Sequence, residues 1–89
     1  MYYVGEIYVG FDCDKCFFDT LEDAQNELNR ITLELVELAP YRAELLRDYI
    51  SKGYAIRDVE HWIIQDRITG ELMAEKTIEI HANGFISIK

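Results

Sequence analysis

The last third of the chain alternates apolar and polar residues in a way that favours one strand pairing. From Leu72 to His81, apolar side chains at Leu72, Ala74, Ile78 and Ile80 alternate with largely polar ones. A two-residue turn at Asn83-Gly84 would place Ile80 opposite Ser87 and split the apolar face. A three-residue loop from Ala82 to Gly84, with Gly84 as a left-handed bulge, keeps that face together. It pairs Ile80 with Ile86 and Ile78 with Ile88.

A second strand and a hairpin loop precede this one. The residues from Glu60 to Gln65 suit a half-buried pleated surface, and Asp66 to Glu71 is polar and contains Gly70. We therefore predict a three-strand antiparallel meander between Tyr54 and Lys89. Trp62 is expected to pack under the helices with its indole N–H bound to a backbone carbonyl.

The N-terminal stretch from Tyr2 to Phe11 predicts another strand. Both of its faces are largely apolar, which favours a central place in the sheet. Gly5 in its interior indicates either a bulge or a close packing contact.

The residues from Thr20 to about Ala39 predict a helix. Asp19 or Thr20 can cap it, with Glu22 or Asp23 completing a capping box. Its apolar stripe has helical 3-4-3-4-3 spacing and is expected to pack on the sheet. The stripe consists of Leu21, Ala24, Leu28, Ile31, Leu35 and Leu38.

Pro40 suits the first turn of a second helix, predicted from Tyr41 to Lys52 and ended by Gly53 at the C′ position. One long helix kinked at Pro40 is the alternative. The second helix would present Tyr41, Leu45, Leu46, Tyr49 and Ile50 to a neighbour. It is expected to cover Leu33 and Val36, which otherwise form an exposed apolar patch.

These elements predict a single α+β domain over residues 1–89. The expected architecture is a four-stranded, mostly antiparallel sheet in the order β-α-α-β-β-β, with two helices packed on one face.

The net charge of −8 is unevenly distributed. Residues 1–39 carry nine acidic residues against two basic ones, whereas residues 40–89 carry eight against seven. Direct binding to nucleic-acid phosphates is therefore disfavoured, and attraction to a basic partner is favoured. Solubility alone is the other explanation for such a charge.

Cys13 and Cys16 have the spacing of a structural zinc pair. His61 and His81 are the only remaining candidates for the other two ligands, although they lack the usual close histidine spacing. Thioredoxin-type redox chemistry is disfavoured because Phe17 and Phe18 separate the pair from the helix and flanking aspartates raise a thiol pKa. Two ordinary loop thiols remain the third interpretation. We expect no cofactor, with zinc as the alternative.

No phosphate-binding loop, nucleophile elbow, metalloprotease motif or EF-hand spacing occurs in the sequence. Chains as short as this one also seldom build both a core and a sheltered cleft, so we expect a non-enzymatic protein. No basic-then-apolar start and no membrane-length apolar run occur either, so we expect a cytoplasmic protein with no membrane partner.

Three segments carry a resemblance to a class of proteins: the short N-terminal strand, the Thr20-x-Glu22-Asp23-Ala24 helix start and the Thr69-Gly70-Glu71 hairpin. The chain resembles small acidic orphan proteins encoded by phages and mobile elements. Anti-CRISPR proteins among them resemble nucleic acid in charge and block host nucleic-acid-binding proteins. The resemblance implies an inhibitor that contacts a basic protein surface through Asp12, Asp14, Asp23, Glu27, Glu34 and Glu37. Arg30 interrupts this stripe and departs from the mimicry.

Two further hypotheses belong to other classes. One is a small domain stabilised by zinc on Cys13, Cys16, His61 and His81. The other is a homo-oligomeric accessory protein that buries Leu33, Val36 and part of the second helix across a two-fold interface.

Overall fold

A computed structural model describes residues 1–7 and 16–89 of the chain. In this part the strands are β1 (Tyr2–Glu6), β2 (Phe17–Phe18), β3 (Asp58–Asp66), β4 (Leu72–Ile80) and β5 (Ile86–Ile88), and helix α1 spans Leu21–Ser51. The strands form one antiparallel sheet in the order β2-β1-β3-β4-β5. Helix α1 packs on one face of it.

The expected four-stranded sheet with two helices is wrong, because the described residues form five strands and one helix. The additional strand, β2, pairs Phe18 with Tyr2 and Phe17 with Tyr3. Two residues are too few to show strand periodicity, so only the tertiary pairing reveals this strand. The expected interior position of β1 is confirmed, since β1 lies between β2 and β3.

Helix α1 continues through Pro40, so the predicted separate second helix is wrong and the structure has the one long helix given as the alternative. Proline removes one backbone donor and crowds the carbonyl four residues earlier. Pro40 lies on the exposed side, where water can reach the carbonyl that loses its partner. Buried residues on both sides of the proline, Leu35 and Ala39 before it and Ala43 and Leu46 after it, hold the two halves on one sheet.

Local residues specify both ends of α1. Thr20 is the N-cap, and its side-chain oxygen accepts a hydrogen bond from the backbone N–H of Asp23 at 3.1 Å. At the other end Gly53 has φ 91°, and the N–H of Tyr54 reaches the carbonyl of Tyr49 at 3.1 Å. The predicted helix start and glycine stop are therefore confirmed.

The core lies between α1 and the sheet in two clusters. Val4, Ala24, Leu28 and Ile64 form the first, and Ala39, Ala43 and Ile80 form the second. The helix thus crosses from β1 and β3 to the end of β4. Leu38, expected in the core stripe, is exposed instead because the buried face passes through Ala39.

Both hairpins have the predicted loops. Ile78 pairs with Ile88 and Ile80 with Ile86, and Gly84 has φ 89°, which confirms the three-residue loop. The loop between β3 and β4 contains Gly70 at φ 77°.

Two interior predictions have different outcomes. The ring of Tyr3 lies across Gly5, where an added Cβ would collide with the Tyr3 ring and hydroxyl, so the predicted close contact is confirmed. The side chain of Trp62 packs against the first core cluster as expected. Its buried indole nitrogen has no hydrogen-bond partner among the described residues, so the expected bond to a backbone carbonyl is not found in that part of the chain.

Candidate protein-binding surface on the helix

The predicted acidic contacts fall into two groups. Asp23, Glu27, Glu34 and Glu37 lie on α1, while Asp12 and Asp14 lie outside the described residues. Arg30 forms ion pairs with Glu27 and, at 2.9 Å, with Glu34. The positive charge of Arg30 therefore partly neutralises the two carboxylates on either side of it, which weakens the negative charge of the stripe at this point.

The uninterrupted helix extends this stripe beyond Pro40. Glu44 follows Glu37 by seven residues and Asp48 by eleven, so all three lie on one side of α1. We call the six carboxylates the acidic ridge: Asp23, Glu27, Glu34, Glu37, Glu44 and Asp48. The ridge is roughly 38 Å long at the helical rise per residue. The two added residues were missed because a break at Pro40 removes any fixed orientation between the two halves.

A group of exposed apolar side chains lies beside the ridge. The stripe predicted to face a neighbour, Tyr41, Leu45, Leu46, Tyr49 and Ile50, is exposed apart from Leu46. Tyr41 is 62% exposed, and the rings of Tyr49 and Tyr54 meet edge to face with centroids 5.9 Å apart. We call the following residues the tyrosine patch: Leu38, Tyr41, Leu45, Tyr49, Tyr54 and Ile56.

Leu33 and Val36 lie on the other flank of the helix. They are 65% and 41% exposed, so the expectation that a second helix covers them is wrong. The residues assigned to that helix continue α1 instead.

A group of charged side chains holds the second half of α1 to β3. Arg42 donates to both carboxylate oxygens of Asp58, at 2.9 Å from its Nε, and to Glu60 at 3.2 Å. The negative charges of Glu60 and Asp58 act on the carboxylate of Glu6. Burial, followed by Glu60, raises the pKa of Glu6, and Arg42 opposes the shift.

The proposed zinc ligands are not brought together in the described part of the chain. Cys16 lines a cavity between α1 and the sheet that Trp62 also lines. His61, the residue before Trp62, lines a different cavity with His81. Neighbouring strand residues point to opposite faces, which separates Cys16 from the histidines. Cys13 lies outside the described residues.

Each histidine contacts a hydroxyl group. Nδ1 of His61 is 2.9 Å from Thr77 Oγ1, and Nε2 of His81 is 2.8 Å from Ser87 Oγ. Within residues 1–7 and 16–89, no three side chains of the metal-binding types converge.

Helix α1 contains seven acidic and three basic residues, and no helix in the described residues is long and apolar enough to cross a membrane.

Comparison with protein-family models, with curated proteins and with solved structures found no match for this chain.

Proposed function

We propose that this chain is a non-enzymatic protein-binding module whose acidic ridge and tyrosine patch together engage a basic surface on a partner protein. The observation that supports this most directly is the continuity of α1 through Pro40. It places the charged and the apolar side chains on adjoining strips of one rigid element.

The tyrosine patch supplies the apolar part of the proposed interface. Tyrosines are enriched among the residues that dominate binding energies, since each combines a large apolar ring with a hydroxyl group. Contiguous exposed apolar patches are uncommon on monomeric proteins and mark interaction sites. The rings of Tyr49 and Tyr54 already contact each other, so binding needs little further ordering of these two side chains.

The charge of the chain favours a basic partner over a second copy. Two copies would each bring a net charge of −8 to the interface. A basic surface gains attraction from the same ridge, and the attraction accelerates encounter as well as selecting the partner. A homodimer is the competing outcome of the test below.

The proposed partner class is a nucleic-acid-binding protein, in keeping with the resemblance to phage-type inhibitors. Such proteins have extended basic surfaces, and carboxylates three or four residues apart on a helix are roughly 5–6 Å apart. Occupying that surface would block nucleic acid without the chain itself binding any.

The proposal is tested by tagged capture of partners from a lysate at low and high salt, with mass spectrometry. Three double variants are compared with the wild type. The patch variant is Tyr41→Ser with Leu45→Ser, the ridge variant Glu37→Lys with Glu44→Lys, and the control Leu33→Ser with Val36→Ser.

We expect the wild type and the control to retain the same basic protein at low salt and to release it at high salt. The patch and ridge variants should each lose at least about tenfold of that retention, as substitution of central interface residues does. Equal retention by all four proteins would contradict the proposal. Retention of only the chain itself would support the homodimer instead.

A further inference from the structure

A cavity of about 430 Å³ lies between the first half of α1 and the sheet, on the same flank as the tyrosine patch. Val4, Ile31 and Leu35 contribute its apolar lining, and Trp62 contributes an aromatic wall. Among residues 1–7 and 16–89, the charged lining consists of Glu27, Glu34 and Glu60 with one cation, Arg30. The lining side chains therefore carry an excess of negative charge beside an aromatic ring.

Arg30 shows what this cavity accommodates. Its guanidinium lies between Glu27 and Glu34 and donates to both, although 62% of the side chain remains exposed. Exposed ion pairs of this kind contribute little stability, so another cation can replace Arg30 at small cost. The two carboxylates are thus already arranged around a guanidinium.

We propose that this cavity receives a lysine or arginine side chain from the partner, which displaces Arg30 from between Glu27 and Glu34. This inference rests on the proposed function. It names the chemical group that a basic partner would place where the acidic ridge meets the sheet.

The chemistry of the lining selects a cation. An aromatic ring attracts a cation placed over its face, most strongly when the ring is tryptophan. The stem of lysine or arginine has methylene groups that can lie against Ile31 and Leu35. Among the described residues, an anion would meet three carboxylates, and the one cation of the lining, Arg30, is already paired with two of them.

The cavity is also continuous with the proposed interface. Glu27 and Glu34 belong to both the cavity lining and the acidic ridge. Leu38 of the tyrosine patch follows Glu34 by one helical turn. A partner lying along this flank can therefore contact the patch and place a basic side chain in the cavity at the same time.

The chain offers a built-in reporter, since Trp62 is its one tryptophan. The test is a titration of the full chain with Nα-acetyl-arginine amide at constant ionic strength, followed by tryptophan fluorescence. Nα-acetyl-citrulline amide, which has the same shape without the charge, is the control ligand. Four proteins are compared: the wild type, Arg30→Ala, Glu27→Gln with Glu34→Gln, and the charge-matched control Glu71→Gln with Glu75→Gln, whose exposed carboxylates lie outside both the cavity and the acidic ridge.

We expect a saturable fluorescence change with the arginine amide and none with the citrulline amide. Arg30→Ala should bind about fivefold more tightly, because it removes a competitor of the strength of an exposed ion pair. The Glu27 and Glu34 double variant should lose the response, while the Glu71 and Glu75 double variant should retain it. Equal responses to both ligands, unchanged affinity in Arg30→Ala, or equal losses in the two glutamine variants would each overturn the inference.

The lysate capture separates failure of this inference from failure of the proposed function. If the Glu27 and Glu34 double variant retains the partner as well as the wild type does, while the patch variant loses it, the cavity inference fails and the proposed function stands. If the wild type retains no basic partner, the proposed function fails, and the inference about a partner side chain fails with it.

Discussion

Glu6 shows how a side chain unremarkable in sequence acquires its properties from distant residues. It lies in β1 opposite Trp62 of β3, close to the carboxylates of Glu60 and Asp58. Arg42 binds those two carboxylates from the helix, but burial of Glu6 and the charge of Glu60 raise the pKa of Glu6 despite the opposing charge of Arg42. None of these contacts is visible in the sequence, because they join segments 16 or more residues apart.

We predict that Glu6→Gln raises the free energy of unfolding at neutral pH by a few tenths of a kcal/mol, about the size of other partly exposed charge contacts. The pKa of Glu6 is raised in the folded state, so folding favours its protonated form. The contribution of protonated Glu6 to the free energy of unfolding is therefore fully present below the ordinary glutamate pKa of 4.5. It is lost as the pH rises through the raised pKa of the folded state.

Urea unfolding of both proteins across this pH range measures the difference. The two curves should converge at acidic pH. Glu75→Gln removes an exposed carboxylate from β4. It controls for the general effect of removing one negative charge. A stability decrease in Glu6→Gln at neutral pH would show that attraction to Arg42 outweighs the burial and the carboxylate repulsion.

At the scale of the elements, signals carried by a few neighbouring residues were reliable. The Thr20 cap, the Gly53 stop, the Gly70 loop and the Gly84 bulge were all predicted and are all present. Pro40 was misinterpreted because the same residue suits a helix start and tolerates an exposed helix interior. Which of these applies depends on whether the buried face continues, and here Ala39 and Ala43 continue it.

Pro40→Ala distinguishes a continuous helix from a separate second helix, because the two predict different changes in the free energy of unfolding. In a continuous helix, alanine restores a backbone hydrogen bond and relieves crowding. We expect it to raise the free energy of unfolding by about 1 kcal/mol, after part of the gain is offset by the freer unfolded chain. At the first turn of a separate helix, the same substitution would leave stability unchanged or lower it.

Thermal unfolding followed by circular dichroism measures this change, together with the helical signal. Leu33→Ala, at an exposed position of the same helix, reports the effect of alanine without the change in backbone chemistry. A lower melting temperature for Pro40→Ala, with Leu33→Ala unchanged, would contradict a continuous helix.

At the scale of the whole molecule, the exposed tyrosine patch favours self-association, whereas the net charge of −8 opposes it. The longest dimension is 46 Å, and a 31-residue helix has roughly the same length, so α1 spans the molecule. The nine-residue strands are shorter, at roughly 30 Å. The C-terminal turns of α1, which carry Tyr49 and Ile50, consequently remain exposed.

We predict that the chain sediments as a monomer at low salt and that its average mass rises toward that of a dimer as salt is added. Salt screens the repulsion between two chains of net charge −8 but leaves the attraction between their apolar patches. Analytical ultracentrifugation at several salt concentrations measures this. The Tyr41→Ser, Leu45→Ser variant should remain monomeric throughout, and a wild-type dimer at low salt would contradict the prediction.

The sequence by itself determined the α+β composition, the hairpin register, the start and end of the helical region and the overall negative charge. These features depend on residues close in the chain or on simple alternation. Only the tertiary structure decided that α1 is continuous, that Phe17 and Phe18 form a fifth strand, and that Glu44 and Asp48 join the acidic ridge. It also brought Glu27, Glu34 and Trp62 to one cavity. Each of these outcomes depends on which surfaces are buried against each other, and burial is settled by packing between distant segments.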